Sequence, residues 1–445
     1  MSKVVRSSKY RHVFAAQPKK EECYQNLKVT KSAWDSNYVA ANTRYFGVIW
    51  DAAGGGSFAV IPHEASGKTT SVPLFNGHKS AVLDIAFHPF NENLVGSVSE
   101  DCNICIWGIP EGGLTDSIST PLQTLSGHKR KVGTISFNPV ADNVAVTSSG
   151  DFLVKTWDVE QGKNLTTVEG HSDMITSCEW NHNGSQIVTT CKDKKARIFD
   201  PRTNSIVNEV VCHQGVKNSR AIFAKDKVIT VGFSKTSERE LHIYDPRAFT
   251  TPISAQVIDS ASGLLMPFYD ADNSILYLAG KGDGNIRYYE LVDESPYIHF
   301  LSEFKSSTPQ RGLCFLPKRC LSTSECEIAR GLKVTPFTVE PISFRVPRKS
   351  DIFQDDIYPD TYAGEPSLTA EQWVSGTNAE PKTVSLAGGF VKKAPAAEFK
   401  PIVQVQEGPK NEKELREEYE KLKIRVAYLE SEIVKKDAKI KELSN

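Results

Sequence analysis

Short runs in which apolar and polar residues alternate recur along the chain, and a period of two is the signature of half-buried strands. Leu241-His242-Ile243-Tyr244-Asp245 is one such run. Tyr45–Trp50 and Ser57–Pro62 are also strand-like runs, and the Gly-rich stretch Asp51–Gly56 between them predicts a hairpin. Further strand-like runs lie at Gly312–Pro317, Gly331–Thr335 and Ile342–Val346. Tyr10–Ala15 predicts a short strand near the start. The pattern changes at the end of the chain. Residues 411–445 hold no Gly or Pro, are rich in Glu, Lys and Leu, and repeat apolar residues every 3.5 positions. Tyr419, Val426, Ile433 and Ile440 fall at a positions; Leu415, Leu422, Leu429 and Leu443 fall at d positions, with Lys436 the polar exception. Such a narrow seam predicts a helical coiled coil. A lone amphipathic helix packed back on the rest of the chain is the alternative.

The strand runs are organised by a repeat. Gly77-His78, Asp101 and Trp107 form one set; Gly127-His128, Asp151 and Trp157 form a second. Gly170-His171, Asp193 and Phe199 form a third. From His to Asp the spacing is 23, 23 and 22 residues, and from Asp to the aromatic it is 6 each time. Tyr244 and Tyr289 continue the series, so the aromatics at 107, 157, 199, 244 and 289 step by 50, 42, 45 and 45. A period near 45 that ends on an aromatic-Asp pair predicts the four-stranded blade of a β-propeller. Five legible blades, with a degenerate one on each side, make seven. Closing such a ring requires the first and last blades to be joined, or sheet edges stay open. The strand near 10–15 is expected to complete the last blade.

Within each repeat the chemistry is structural. An Asp in a tight turn suits a carboxylate that accepts nearby hydrogen bonds. An imidazole can bond that carboxylate with one nitrogen and a hydroxyl with the other, and the hydroxyl can reach an indole N–H. Ser97, Thr147 and Thr189 lie four residues before their Asp; Ser99 and Ser149 lie two before, with Cys191 at that place in the third copy. Spacing leaves both hydroxyl positions open. Ser, His and Asp also make up a hydrolase triad. Threefold repetition and the absence of a Gly-x-Ser-x-Gly nucleophile turn argue against catalysis.

Composition adds a compartment and a charge pattern. The chain has 445 residues, 39% of them hydrophobic and 24% charged, enough for a large core. It has no long apolar run for a membrane span and no apolar leader near its start. Nine scattered cysteines fit reduced cytosolic thiols. Cys102-x-x-Cys105 has a metal or redox spacing but no second pair to match it, so no metal or cofactor is expected. Residues 1–32 carry eight Lys or Arg against Glu21 and Glu22. Residues 351–380 carry seven Asp or Glu and no Lys or Arg. Charge runs are commonly solvated faces; a basic patch can also meet an acidic polymer, either nucleic acid or an actin filament. Without interleaved aromatics, nucleic acid is the weaker option. Residues 347–390 retain Phe353, Tyr358, Tyr362, Trp373 and Phe390, too many aromatics for a free linker. They are expected to pack on the propeller (1–346), and 391–410 to link it to the coiled coil at 411–445.

The whole chain resembles the coronin family. The resemblance rests on Val4-Val5-Arg6-Ser7-Ser8-Lys9-Tyr10-Arg11-His12-Val13-Phe14, Trp34-Asp35, the Gly54-Gly55-Gly56 turn, Pro309-Gln310-Arg311-Gly312-Leu313-Cys314-Phe315 and Asp351–Pro359. It implies an all-β, seven-bladed WD-repeat propeller with a packed C-terminal extension and a C-terminal α-helical coiled coil. The repeats would then be the WD-repeat Asp-His-Ser/Thr-Trp tetrads. It also implies binding of actin filaments, self-association through the tail, and modulation of the actin-related-protein branching complex and of cofilin-driven turnover. Motility, cytokinesis and phagocytosis at the actin cortex would be the settings. The family's filament contacts place Lys28, shortly after Cys23-Tyr24, where an Arg is common; charge is kept and the bidentate fork lost. Arg6, Lys9 and Arg11 are further candidates, which could instead cap strands or pair with the acidic extension.

The tail residues carry their own oligomer signals. β-branched a positions with Leu at d favour two strands. Arg425 at g and Glu430 at e, around Val426 and Leu429, match the Arg-h-x-x-h-Glu pattern of short trimers. A parallel trimer is expected, with a dimer as the alternative. Joined propellers would bind filaments with greater avidity than one alone. The rival functional class is a WD-repeat adaptor for trafficking or ubiquitin-ligase complexes, which would hold a peptide on the propeller's top face. An enzyme is not expected.

Overall fold

In the computed structural model, the described residues are 6–348, 352–389 and 399–401, with nine further positions between 416 and 433. Seven antiparallel sheets follow one another along the chain. Blades one to six are four-stranded; blades two to six are each built from consecutive strands, as local hairpin pairing favours, and blade one is interrupted only by Gly67–Lys68, which joins the seventh sheet. Blade two, for example, comprises Val82–Phe87, Leu94–Ser99, Asn103–Gly108 and Gln123–Ser126. Alternation along each inner strand sends one set of side chains toward each neighbouring blade. Buried clusters therefore form between blades, such as Val95, Trp107, Phe58 and Phe75 between blades one and two.

The seventh sheet is assembled from both ends of the propeller. Gly312–Phe315, Glu327–Val334 and Thr338–Arg345 supply its inner strands. Phe14–Ala16 then pairs antiparallel with Thr338–Arg345, Phe14 opposite Arg345. Tyr24–Gln25 pairs farther along the same strand, Tyr24 opposite Val339, and carries Gly67–Lys68 in parallel on its other side. Early and late segments thus share one hydrogen-bonded sheet, which covers the edge of Thr338–Arg345.

The segment after blade seven packs across one face of the ring. Ile357, Tyr358 and Leu386 join the apolar cluster of blades six and seven together with Tyr10 and Val13. Leu368 and Trp373 join the cluster between blades three and four. Asn273 stitches the beginning to this strap, donating to Tyr10 Oη and to the Ile357 carbonyl, each at 2.8 Å.

Two compact units are distinguished, residues 1–401 and 402–445. The expected coiled coil is corrected. Among the described residues no long continuous helix is formed; the continuous helical elements are the five-residue α-helix Ala370–Val374 and short 3-10 turns. Tyr419, Val426 and Ile433 have helical backbone, yet each is more than half exposed. The other expected seam and pairing positions, Leu415, Leu422, Arg425, Leu429, Glu430, Ile440 and Leu443, lie outside the described residues. The physical reason is that an apolar stripe without a partner buries no area, and an isolated helix in water has little stability of its own.

Candidate interaction surface

Two of the repeats close into complete side-chain chains. His78 Nδ1 lies 3.0 Å from Asp101 Oδ2, its Nε2 lies 2.7 Å from Ser97 Oγ, and Trp107 donates to the same Oγ at 2.8 Å. His128, Asp151, Thr147 and Trp157 repeat this with distances of 3.0, 2.9 and 2.8 Å. The hydroxyl four residues before the Asp is therefore the linking one. Ser99 and Ser149 instead donate to the Ser80 and Arg130 carbonyls, pinning the loop that carries the histidine.

The residues after Asp101 and Asp151 are held in the left-handed region, Cys102 at φ 71° and Phe152 at φ 68°. The carboxylates secure these strained turns by accepting backbone N–H groups. Asp101 accepts from Lys79 at 2.9 Å and from Asn103 at 3.0 Å. Burial alone would raise the Asp101 pKa, but the His78 ring and these amides more than offset it and hold the carboxyl at about 2.

The third repeat differs. His171 Nε2 bonds Thr189 at 2.9 Å, but its Nδ1 has no partner among the described residues. Asp193 turns to Arg197, with contacts of 2.6 and 3.2 Å. Arg197 occupies the strand position held by Cys105 and Lys155 in the complete copies, and its guanidinium captures the carboxylate. Burial and the Arg197 charge push His171 down to about 4, so this ring is neutral at physiological pH.

The basic residues near the start fall into two groups. Arg6 pairs with Glu290 of blade six, and Arg11 donates to the Arg6 carbonyl. Lys9 donates to the Asp356 carbonyl of the strap at 2.8 Å. These three side chains tether the segment leading into Phe14–Ala16. Lys28 is exposed and forms no ion pair among the described residues, although buried Leu27 and Val29 flank it. The backbone beneath it is fixed: Leu27 N–H donates to Phe337 at 3.0 Å, and the Lys28 carbonyl accepts from Asp51 at 2.7 Å.

Trp34-Asp35, part of the motif on which the family resemblance rests, has a structural role that spacing did not reveal. Trp34 donates to the Gly133 carbonyl of blade three at 3.1 Å and lies beneath Lys131, whose Nζ is 4.6 Å from the ring centroid. Asp35 accepts from Asn218 at 2.6 Å and lies 3.5 Å from Lys281 Nζ. Arg220 bonds both Asn37 Oδ1 and the Asp35 carbonyl. This one loop thereby ties together blades three, five and six across the central channel. The channel cavity measures about 490 Å³ and includes Asp84, Glu179 and Arg220 in its lining. Surrounding protein pushes the Asp84 and Glu179 carboxyls upward. No motif announces these groups, because they come from three separate repeats.

A seven-bladed ring with His-Asp-hydroxyl-Trp chains defines a WD-repeat β-propeller. Models of the WD domain, G-beta repeat, match residues 69–108, 119–158 and 162–200, and a type of WD40 repeat matches 339–381. A domain of unknown function matches residues 3–68. Coronin-A of Dictyostelium discoideum is 98% identical over 445 residues, covering all of both chains. The WD40 domain of Toxoplasma gondii coronin superposes with a TM-score of 0.81 at 33% identity, covering 84% of this chain and 97% of that one. A chain of the mitotic checkpoint complex, at 12% identity and TM-score 0.58, covers 78% of this chain and 98% of its own; it shares the fold alone. The chain belongs to the coronin family. It is accordingly an actin-binding regulator of the cytoskeleton, and its propeller is a non-catalytic scaffold. No helix among the described residues is long and apolar enough to cross a membrane.

Proposed function

We propose that the propeller docks on the side of an actin filament through the basic edge around Lys28. The observation that supports this reading is a cation presented without an internal counter-ion on an immobilised backbone. Little ordering entropy is then lost on docking, and the charge is available for an acidic partner. Arg6 and Arg11 are engaged in holding the N-terminal segment, so their part in docking is chiefly to position it. Lys9 is exposed, but its ammonium is tied to the strap, so it too serves chiefly to hold the N-terminal segment. Exposed charges of this kind act over about a Debye length, ~8 Å at physiological salt.

The branching complex and cofilin are the further partners that family membership supports. Both act on filaments, so a protein bound along the filament side is placed to change their access. Motility, cytokinesis and phagocytosis at the cortex are the processes that such control would serve.

Co-sedimentation of the intact protein with actin filaments at low and raised salt tests the reading. The expected result is saturable pelleting with filaments that weakens as salt rises. Binding that is indifferent to salt would count against a charged docking edge.

A further inference from the structure

Blade five departs from the tetrad pattern and assembles another arrangement. Its loop histidine is His213, its strand hydroxyl is Thr230 and its aromatic is Tyr244. His213 Nε2 lies 3.0 Å from Thr230 Oγ1, as in the complete copies. Six residues before Tyr244 stands Glu238, but its carboxylate accepts the Thr236 hydroxyl within the turn. Glu240 takes the vacated side of His213 instead. Glu240 Oε2 is 3.4 Å from His213 Nδ1 and 3.7 Å from His242 Nε2. Glu240 and His242 are two apart on the strand Arg239–Tyr244, so their side chains share a face. The two imidazoles stack, with centroids 4.4 Å apart and planes at 23°.

We propose that His213, Glu240 and His242 bind a divalent transition-metal ion of the zinc type. One ligand atom from each residue lies within 4.8 Å of the other two. The 3.4 and 3.7 Å separations are long for hydrogen bonds to a carboxylate, which favour about 2.7–2.9 Å. A tetrahedral ion with bonds of about 2.0–2.2 Å sets neighbouring ligand atoms about 3.3–3.6 Å apart. Both rings also have their remaining nitrogen engaged, as metal-bound imidazoles require. His213 uses Nε2 on Thr230, and His242 Nδ1 lies 3.3 Å from Tyr244 Oη. Nδ1 of His213 and Nε2 of His242 thus both lie within 3.7 Å of the same carboxylate oxygen.

Two imidazoles and one carboxylate suit zinc, and also copper, nickel or cobalt. Glu240 and His242 are half-buried, so a water can serve as the fourth ligand. The bound ion fastens the loop at His213 to its strand, the task that Asp101 and Asp151 perform in the complete blades. Cys102-x-x-Cys105 does not form such a group: Cys105 is buried and faces His78, and Cys102 sits in the turn.

The test uses the full-length protein, stripped with a chelator and dialysed. Zinc is titrated by calorimetry, and cobalt is followed by its visible absorption. The wild type should take up a single ion per chain, show the absorption of a tetrahedral cobalt site and unfold at a higher temperature with zinc. Glu240→Gln and His242→Gln should each weaken uptake by about tenfold or more. Both are half-buried conservative changes that leave the His213–Thr230 bond in place, and circular dichroism checks their fold. No uptake by the wild type overturns the proposal. Equal uptake by both variants also overturns it, since the ion would then sit on thiols elsewhere.

Discussion

The Trp373 indole meets Trp180 edge to face, with ring centroids 5.7 Å apart at 86°, and its N–H donates to the Gly184 carbonyl at 2.7 Å. A residue of the strap is thereby sealed into blade four, fully buried. Trp373→Ala removes the anchor and leaves a cavity beside Trp180. The expected cost is about 3–5 kcal/mol, read as a lower thermal midpoint. Limited proteolysis should cut the strap of this variant first. An unchanged midpoint would mean that the strap contributes nothing to the ring.

Arg239 is the charge on which blades five and six depend. Its guanidinium is 1% exposed, donates to both oxygens of Asp259 at 2.6 Å each, and pairs with Asp283 at 2.7 Å. Arg239→Met removes the cation shared by Asp259 and Asp283, leaving Asp259 its contact with Arg287, with an expected loss of about 3–5 kcal/mol. Arg239→Lys should rescue only partly, because an ammonium cannot reproduce the fork. Adding Asp259→Asn to Arg239→Met should recover part of the loss, measured by urea unfolding.

Acid should unfold the propeller partly through its tetrads. The folded pKa of Asp101 is depressed to about 2 from 3.8. The unfolded chain therefore binds the proton more readily, and the tetrad's contribution is fully present above about pH 4. It is lost as pH falls through the folded value, so the window is pH 4 to 2. Asp101→Asn should flatten the stability profile in that window and lower stability at pH 7 by on the order of 1–2 kcal/mol, allowing for partial solvent screening. A profile as steep as that of the wild type would exclude Asp101 as a source of acid sensitivity.

Lys28 separates docking from folding. Lys28→Glu should weaken actin co-sedimentation by on the order of tenfold and leave the thermal midpoint within experimental scatter, because the side chain is exposed. Arg6→Gln should do the reverse: it loosens the contact with Glu290 and lowers the midpoint, with a smaller effect on filament binding. If Lys28→Glu pellets with filaments as well as the wild type, the docking edge lies elsewhere.

Legibility in the sequence followed locality. The tetrad spacing could be read at 78, 101 and 107 because each blade is one continuous stretch of chain. The same spacing at 171, 193 and 199 did not reveal that Arg197 takes the carboxylate, since the competition is between side chains on one strand. Trp34 and Asp35 stood out as a motif, but their partners Gly133, Asn218, Arg220 and Lys281 come from distant blades. His213, Glu240 and His242 went unread for the same reason: 27 residues separate the first ligand from the second. The heptad at 411–445 was legible as a pattern, yet a seam requires a second surface, which no single chain supplies.

Local periodicity therefore settled the strands, the number of blades and most members of the tetrads, because antiparallel pairing between neighbours in sequence needs only alternation and turns. Folding in three dimensions determined which hydroxyl links each tetrad, which early segments close the ring, and which cations remain free for a partner. Those outcomes depend on distances between residues far apart in the chain, and on competition for the same carboxylate or carbonyl, neither of which the order of residues encodes directly.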